Sequence, residues 1–329
     1  LPDCSSQTCW QRHPLPLHVG ATGVFYSYSL PLYPDKSQLY KRFAPEGKSF
    51  WNMSVDYGYV SHRLTMQGET AMGDCGVVAT VNSMSYLFSE KWSLLALYRF
   101  YPYRYYAMYS NSFKAGSDVQ DESGGYVGMR WTPSAKWMVE AYGDVAYFAW
   151  PKYHTTGSTY AMDYLVSAVC QLSSFISMGA RYQYKWKNEA TTQRARLYLR
   201  MNRSAWSSKT QVDATWLSSS RGYMASEAFA YRYRWLRLQA SMGYFHTSDY
   251  DSRVYALEPG MLYTMSFGSY FGEGIRCALL AKVDVGSHWL LACKWAMTQY
   301  FDRNHISSGL QQINGSCQSD LELQLKWKW

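Results

Sequence analysis

The chain has 329 residues, a mean hydropathy of −0.34 and no uncharged apolar run of ~18 residues, which excludes a membrane-spanning helix. Tyrosine (31 residues) and tryptophan (14) bring the aromatic share to 18%, a load that is hard to hide in a soluble core and natural in the interface belts of a membrane barrel. The net charge of +8 is lopsided: residues 1–164 hold 13 basic and 13 acidic side chains, and residues 165–329 hold 19 and 11.

Residues 1–16 carry Pro2, Pro14 and Pro16, two cysteines and no apolar period. They read as a periplasmic tether, and the start at Leu1 without a signal peptide suggests a processed or truncated form. From residue 17 onward apolar and polar residues alternate. The period of two predicts strands near 17–30, 49–60, 63–73, 75–88, 92–104, 124–132, 136–149, 158–172, 174–187, 193–205, 208–218, 222–235, 236–247, 273–285, 288–301 and 320–329. That is a closed antiparallel outer-membrane β-barrel of about 16 strands, with 14 as the fallback. The barrel spans residues 17–329. Short connections ("FSEK", "TPSAK", "LSS", "DVGSH") alternate with long ones at 31–48, 105–123, 248–272 and 302–319. Outer-membrane barrels have this asymmetry, with short turns in the periplasm, so both termini are expected there.

A soluble sandwich would also alternate. The tryptophans argue for lipid. Under the barrel topology Trp92, Trp131, Trp137, Trp206, Trp235, Trp289, Trp327 and Trp329 fall at one set of strand ends, and Trp51, Trp150, Trp186 and Trp216 at the other. Two belts are what indole rings form at membrane interfaces.

The strongest functional signal is a set of cations with inward parity: Arg181, Lys185, Arg194, Arg196, Arg200, Arg232, Arg234, Arg237, Arg276, Lys282 and Lys294. Such a wall favours anionic solutes. The plainer reading pairs these cations with Glu140, Asp144, Asp163 and Glu322 as structure only. The tyrosine-rich "YPYRYYAMYSNSF" reads either as a contact surface or as a segment folded in to plug the barrel, and at least one of 105–123 and 248–272 is expected to fold over or into the outer mouth, leaving no wide open pore.

No enzyme is expected. The seven histidines have no metal-pair spacing, and His246 near Ser248 and Ser252 lacks a nucleophile-elbow motif. The seven cysteines have no C-x-x-C pair, which argues against zinc, and no cofactor is implied. In an oxidising compartment Cys4–Cys9 and Cys75–Cys317 are the preferred bridges, ahead of Cys277–Cys293.

Several stretches carry a resemblance: "YRFYPYRYYAMYSNSF" at 98–113, "GGYVGMRWTPSAKWMVEAYGDVAYFAWPKY" at 124–153, "EPGMLYTMSFGSYFGEGIRCALLAKV" at 258–283 and the closing "DLELQLKWKW". Together they resemble the barrel part of Bacteroidota outer-membrane proteins in which a periplasmic helix-hairpin-helix region precedes the barrel. No such region is present here. The C-terminal strand resembles an outer-membrane assembly signal. This implies that the assembly machinery reads Leu323, Leu325, Trp327 and Trp329 and closes this strand against the first.

The resemblance implies location and fold, not chemistry. The expected roles are an accessory subunit in an outer-membrane assembly or transport complex, a porin-like channel with anion preference, or a barrel for nucleic-acid uptake. The expected partners are outer-membrane lipid and other outer-membrane or periplasmic proteins. Nucleic acid rests on the family analogy alone.

Overall fold

Every segment with period-two alternation is a strand. In the computed structural model, which describes residues 16–187 and 189–327, the long strands are β1 (Leu17–Leu32), β2 (Gly47–Val60), β3 (Leu64–Gly73), β4 (Val78–Ser89), β5 (Trp92–Tyr101), β6 (Glu122–Ser134), β7 (Trp137–Phe148), β8 (Thr159–Ser173), β9 (Ile176–Lys187), β10 (Ala190–Asn202), β11 (Trp206–Leu217), β12 (Arg221–Tyr233) and β13 (Leu236–Thr247). They continue with β16 (Glu273–Val285), β17 (Trp289–Tyr300) and β20 (Cys317–Trp327). All belong to one 16-stranded sheet in chain order. The fold is all-β and antiparallel, one 16-stranded sheet in which each strand lies beside its neighbour in the order.

Two expected loops hold more structure than alternation reveals. Residues 248–272 contain a hairpin of β14 (Val254–Glu258) and β15 (Ser266–Tyr270), and β18 (His305–Ile306) pairs β19 (Ile313–Asn314). Cys317 opens β20 instead of lying in the preceding loop.

The short connections have a local cause. Ser89, Ser134 and Ser173 each end a strand, and each hydroxyl accepts the backbone N–H two residues on, at 3.3, 3.4 and 3.4 Å. A serine that closes its own turn lets the chain reverse without a longer loop. Indoles mark the same connections: Trp92 stacks on Trp131 at 5.3 Å, and Trp289 on Trp327 at 5.9 Å.

The chain divides into two compact units. Among the described residues, the first comprises 16–132, 140–164 and 186–187, and the second comprises 133–139, 165–185 and 189–327. In the first, Met53, Val55, Met66, Met84 and Val127 stand exposed on one face of the sheet, while the connection 102–121 packs on the other. In the second, Leu197, Val212, Leu279, Leu291, Leu321, Leu323 and Leu325 are exposed, the last three at 65%, 74% and 60%. Their strand neighbours Leu290, Ala292 and Ala296 face the opposite way and are buried. Both units therefore present large aliphatic side chains outward and pack on the polar face. That is the inverse of a soluble sandwich, and it suits hydrocarbon outside.

Candidate functional site

The face opposite the apolar one, here called the inner face, is built from charge. In the first unit Arg99 projects inward from β5, whose one charged residue it is. It is fully buried and reaches two carboxylates: Nη1 and Nη2 donate to Asp144 at 2.7 and 3.1 Å, and Nε donates to Glu122. Glycine makes room for it, because a Cβ on Gly124 would lie 2.6 Å from the Arg99 guanidinium carbon. Glu122 also accepts the backbone N–H groups of Ala115 and Gly116, both at 2.8 Å. The ion cluster thus pins the 102–121 connection to the inner face.

Aromatic contacts extend that anchorage. The Tyr101 hydroxyl donates to the Phe113 carbonyl at 2.9 Å, and the Phe113 ring lies 5.1 Å from the Arg99 guanidinium. Tyr101 and Tyr105 are buried, and burial pushes the Tyr105 phenol up to about 12. Tyr101 and Tyr105 of the tyrosine-rich segment therefore pack on the inner face, whereas Tyr103 and Tyr109 stay exposed.

The second unit repeats the device with different residues. Glu258, in the β14–β15 hairpin, is paired bidentately by Arg276, with Nε to Oε1 at 2.8 Å and Nη2 to Oε2 at 3.0 Å. It also accepts the Tyr270 hydroxyl, and Lys294 lies 3.8 Å away, itself 3.1 Å from Glu322. Burial alone would push the Glu258 carboxyl up. The hydrogen bonds from Arg276 and Tyr270, with the nearby Lys294 charge, outweigh it and hold the group below the usual carboxylate range. Further along, Lys282 donates to the Gly260 carbonyl at 2.9 Å, and Gln324 accepts the Leu262 N–H at 2.9 Å. Met261 packs against Leu280, Leu290 and Ala292, so the excursion has an apolar footing as well.

The expected basic wall divides into three groups. Arg276, Lys282 and Lys294 anchor the hairpin and are structural. Arg196 pairs with Asp213, and Arg237 pairs with Asp284 at 2.7 Å. Arg181, Arg194, Arg200 and Arg232 form no ion pair with a carboxylate among the described residues. Lys185 lies on the inner parity of β9 and has an interaction partner.

One member leaves the wall. Arg234 occupies the two-residue turn between Tyr233 and Leu236 with φ 35°, and its guanidinium lies 5.9 Å from the Tyr233 ring. Parity counting fails there because the chain has stopped alternating. Lys209 joins instead, directly across from Arg200. Its signal was legible, since it shares the parity of Gln211 and Asp213.

Two of the four expected counter-charges divert. Asp144 serves Arg99, Glu140 pairs with Arg130 at 2.7 Å, and Tyr142 donates to Asp163 at 3.3 Å. Of those four acids, Glu322 meets a wall cation, Lys294, and Asp163 has a further interaction partner. Arg99, Glu122 and Glu258 were the residues that alternation did not single out. A lone arginine inside the apolar "LLALYRFY" is the one signal that marks them.

The bridges need correction. Cys75 and Cys317 are free thiols. The Cys75 sulfur packs beside Ala79, Tyr101 and Tyr105 and points at the Val77 carbonyl, while Cys317 is held in the ladder opposite Gln299. Cys277 pairs with Met297, and Cys293 with Ala281. The two are out of register by a four-residue offset, ~13 Å along the strands, which is beyond disulfide reach. Cys4 and Cys9 lie outside the described residues, as does Trp329.

Nor do the groups near His246 form a nucleophile. His246 stacks on Tyr223 at 5.2 Å and lies 3.7 Å from Glu273, while the buried Ser252 hydroxyl donates to the Arg221 carbonyl at 3.0 Å.

No protein-family profile and no curated protein matches this sequence. Some solved structures do. The siderophore receptor PirA from Pseudomonas aeruginosa is 10% identical with a TM-score of 0.49, covering 96% of this chain and 64% of the receptor. The outer-membrane channel DcaP of Acinetobacter baumannii is 8% identical with a TM-score of 0.40, covering 85% and 97%. A bacterial polysaccharide outer-membrane secretin is 6% identical with a TM-score of 0.38, covering 94% and 96%. At such scores and identities these likenesses carry no argument about this chain.

Proposed function

We propose that the chain is a closed outer-membrane transport barrel with its termini in the periplasm, and that its interior favours anions. One observation carries this reading: the inner face of β9 to β12 holds Arg181, Arg194, Arg200, Lys209 and Arg232 without carboxylate partners, and Asp213 is matched by Arg196 and Gln211. Uncompensated cations on a wet wall create a standing positive potential, which concentrates anions and repels cations. Structural pairing alone leaves this surplus without a role.

The two folded-in segments bear on how the transport works. Each is fixed by buried charge, so the expected behaviour is narrow and selective, with none of the large conductance of an open porin. The exposed aliphatic face is read as the lipid contact, and the exposure of Leu323, Leu325 and Trp327 supports reading them as part of an assembly signal. Reconstitution into planar bilayers tests the proposal. The expected result is small conductance with a reversal potential on the anion side under a salt gradient. Cation selectivity, or selectivity unchanged in R194Q/R200Q, would overturn it.

A second reading is an accessory subunit bound to other outer-membrane or periplasmic proteins. Tyr153 and Tyr250 remain exposed and favour it, whereas the inward packing of Tyr101 and Tyr105 removes part of its basis. Gentle extraction that yields a lone monomer at native expression would defeat it. Uptake of nucleic acid rests on the family resemblance and on phosphate affinity for a basic wall.

A further inference from the structure

The β14–β15 hairpin has two unlike faces. Val254, Glu258 and Tyr270 are buried against the inner face of the second unit. Opposite them, Leu257 and Phe267 face each other across the ladder and are exposed at 65% and 64%. Tyr255 lies on the same side, next to Ser269 in the pairing. An apolar pair of this size on a segment already folded inward is unexplained by hairpin stability, since burying it elsewhere would gain ~1.5–3 kcal/mol per side chain.

Across from this hairpin lies the least compensated part of the basic wall. A cavity of about 280 Å³ is bounded by Arg181, Arg194, Arg196 and Thr215 on the strand side and by Tyr255 and Phe267 on the hairpin side. Arg194 lies 5.9 Å from the Tyr255 ring, and Arg253 fixes that ring through a 2.7 Å hydrogen bond to its hydroxyl. The one acid in the cavity, Asp213, already serves Arg196 and Gln211. Arg181 and Arg194 are therefore left with donors to offer, opposite aromatic rings.

We propose that this cavity is a binding site for an aromatic oxyanion, a carboxylate or phosphate carried on a planar ring. Arg181 and Arg194 take the oxygens, because a guanidinium fork matches two oxygens of one group. Tyr255 and Phe267 take the ring, by stacking or edge contact. Neither half suffices: an inorganic anion leaves the apolar wall wet, and a neutral arene leaves two arginines unmatched. The proposal rests on the transport reading for its biological meaning. Its test measures binding without flux, so the two can fail separately.

The experiment is calorimetric titration of the full chain in zwitterionic-lipid nanodiscs with phenyl phosphate, benzoate, inorganic phosphate, acetate and benzyl alcohol, with empty nanodiscs as reference. Phenyl phosphate is expected to bind about tenfold more tightly than inorganic phosphate, and benzoate likewise more tightly than acetate, with benzyl alcohol weakest. R181Q/R194Q should weaken the aromatic anions by about tenfold or more, and F267S should erase the preference for the ring while leaving inorganic phosphate unchanged. R194K, which keeps the charge but loses the fork, covers the case in which the double variant does not fold. Equal binding of phenyl phosphate and inorganic phosphate overturns the proposal. So does binding that is unaffected by the arginine variants, or binding equal to that of empty nanodiscs.

Discussion

Glu258→Gln is the sharpest perturbation of the folded-in hairpin. The side chain keeps its shape and loses its charge. Arg276 is then left 14% exposed and Lys294 5% exposed, without their shared carboxylate. Removing one partner of a buried pair costs ~3–5 kcal/mol. Lys294 still has Glu322 at 3.1 Å, and Arg276 has Asp320 at 3.8 Å, so the lower end applies. About 3 kcal/mol is roughly a hundredfold in the docking equilibrium.

Hydrogen exchange reads this directly. Amides of β14 and β15 should lose about a hundredfold in protection, while those of β16 and β17 keep theirs, because the sheet ladder does not depend on the hairpin. E258L/R276M, which removes both partners, should recover most of the loss. Protection within about threefold of the wild type in E258Q would refute the reasoning. So would a double variant that costs the sum of its singles.

The remaining predictions test other parts. The folded-state pKa of Glu258 is depressed, so its contribution is present above the ordinary carboxylate value and is lost as pH falls through the lower folded value; a spin label on the exposed Ser269 should stay ordered from neutral pH to about pH 4 and loosen only below it. Arg99→Met leaves Glu122 and Asp144 buried without their cation and should cost ~3–5 kcal/mol, read as protease cleavage within 102–121. Leu323→Arg, on the apolar face, should cost ~2–4 kcal/mol in denaturant titration from liposomes, with Gln324→Ala far milder. Cys293, exposed on the lipid-facing parity, should resist a charged maleimide in liposomes and react in detergent, and mass mapping should find no Cys277–Cys293 bridge.

Local chemistry is enough to write the strands. Alternation has a period of two whatever the strand pairs with, and a serine that caps its own turn acts over two residues, so β1 to β13, β16, β17 and β20 were all legible. The outward aliphatic face of "LELQLKW" followed from the same parity. What parity left open was where the charges go. Arg99 meets Asp144 from 45 residues away, and Arg276 meets Glu258 from 18 residues back in an apparent loop. No periodicity links such pairs, because their proximity is set by which strand lies beside which and by which connection folds back over the sheet. The same holds for the cysteines: Cys277 and Cys293 share a parity, but the register of β16 on β17 places them four residues apart. The sequence alone determined the sheet and its two faces. The tertiary structure decided which cations are spent on anchoring the inward segments and which stay without a carboxylate partner among the described residues, because desolvated charges must find partners wherever the fold brings them.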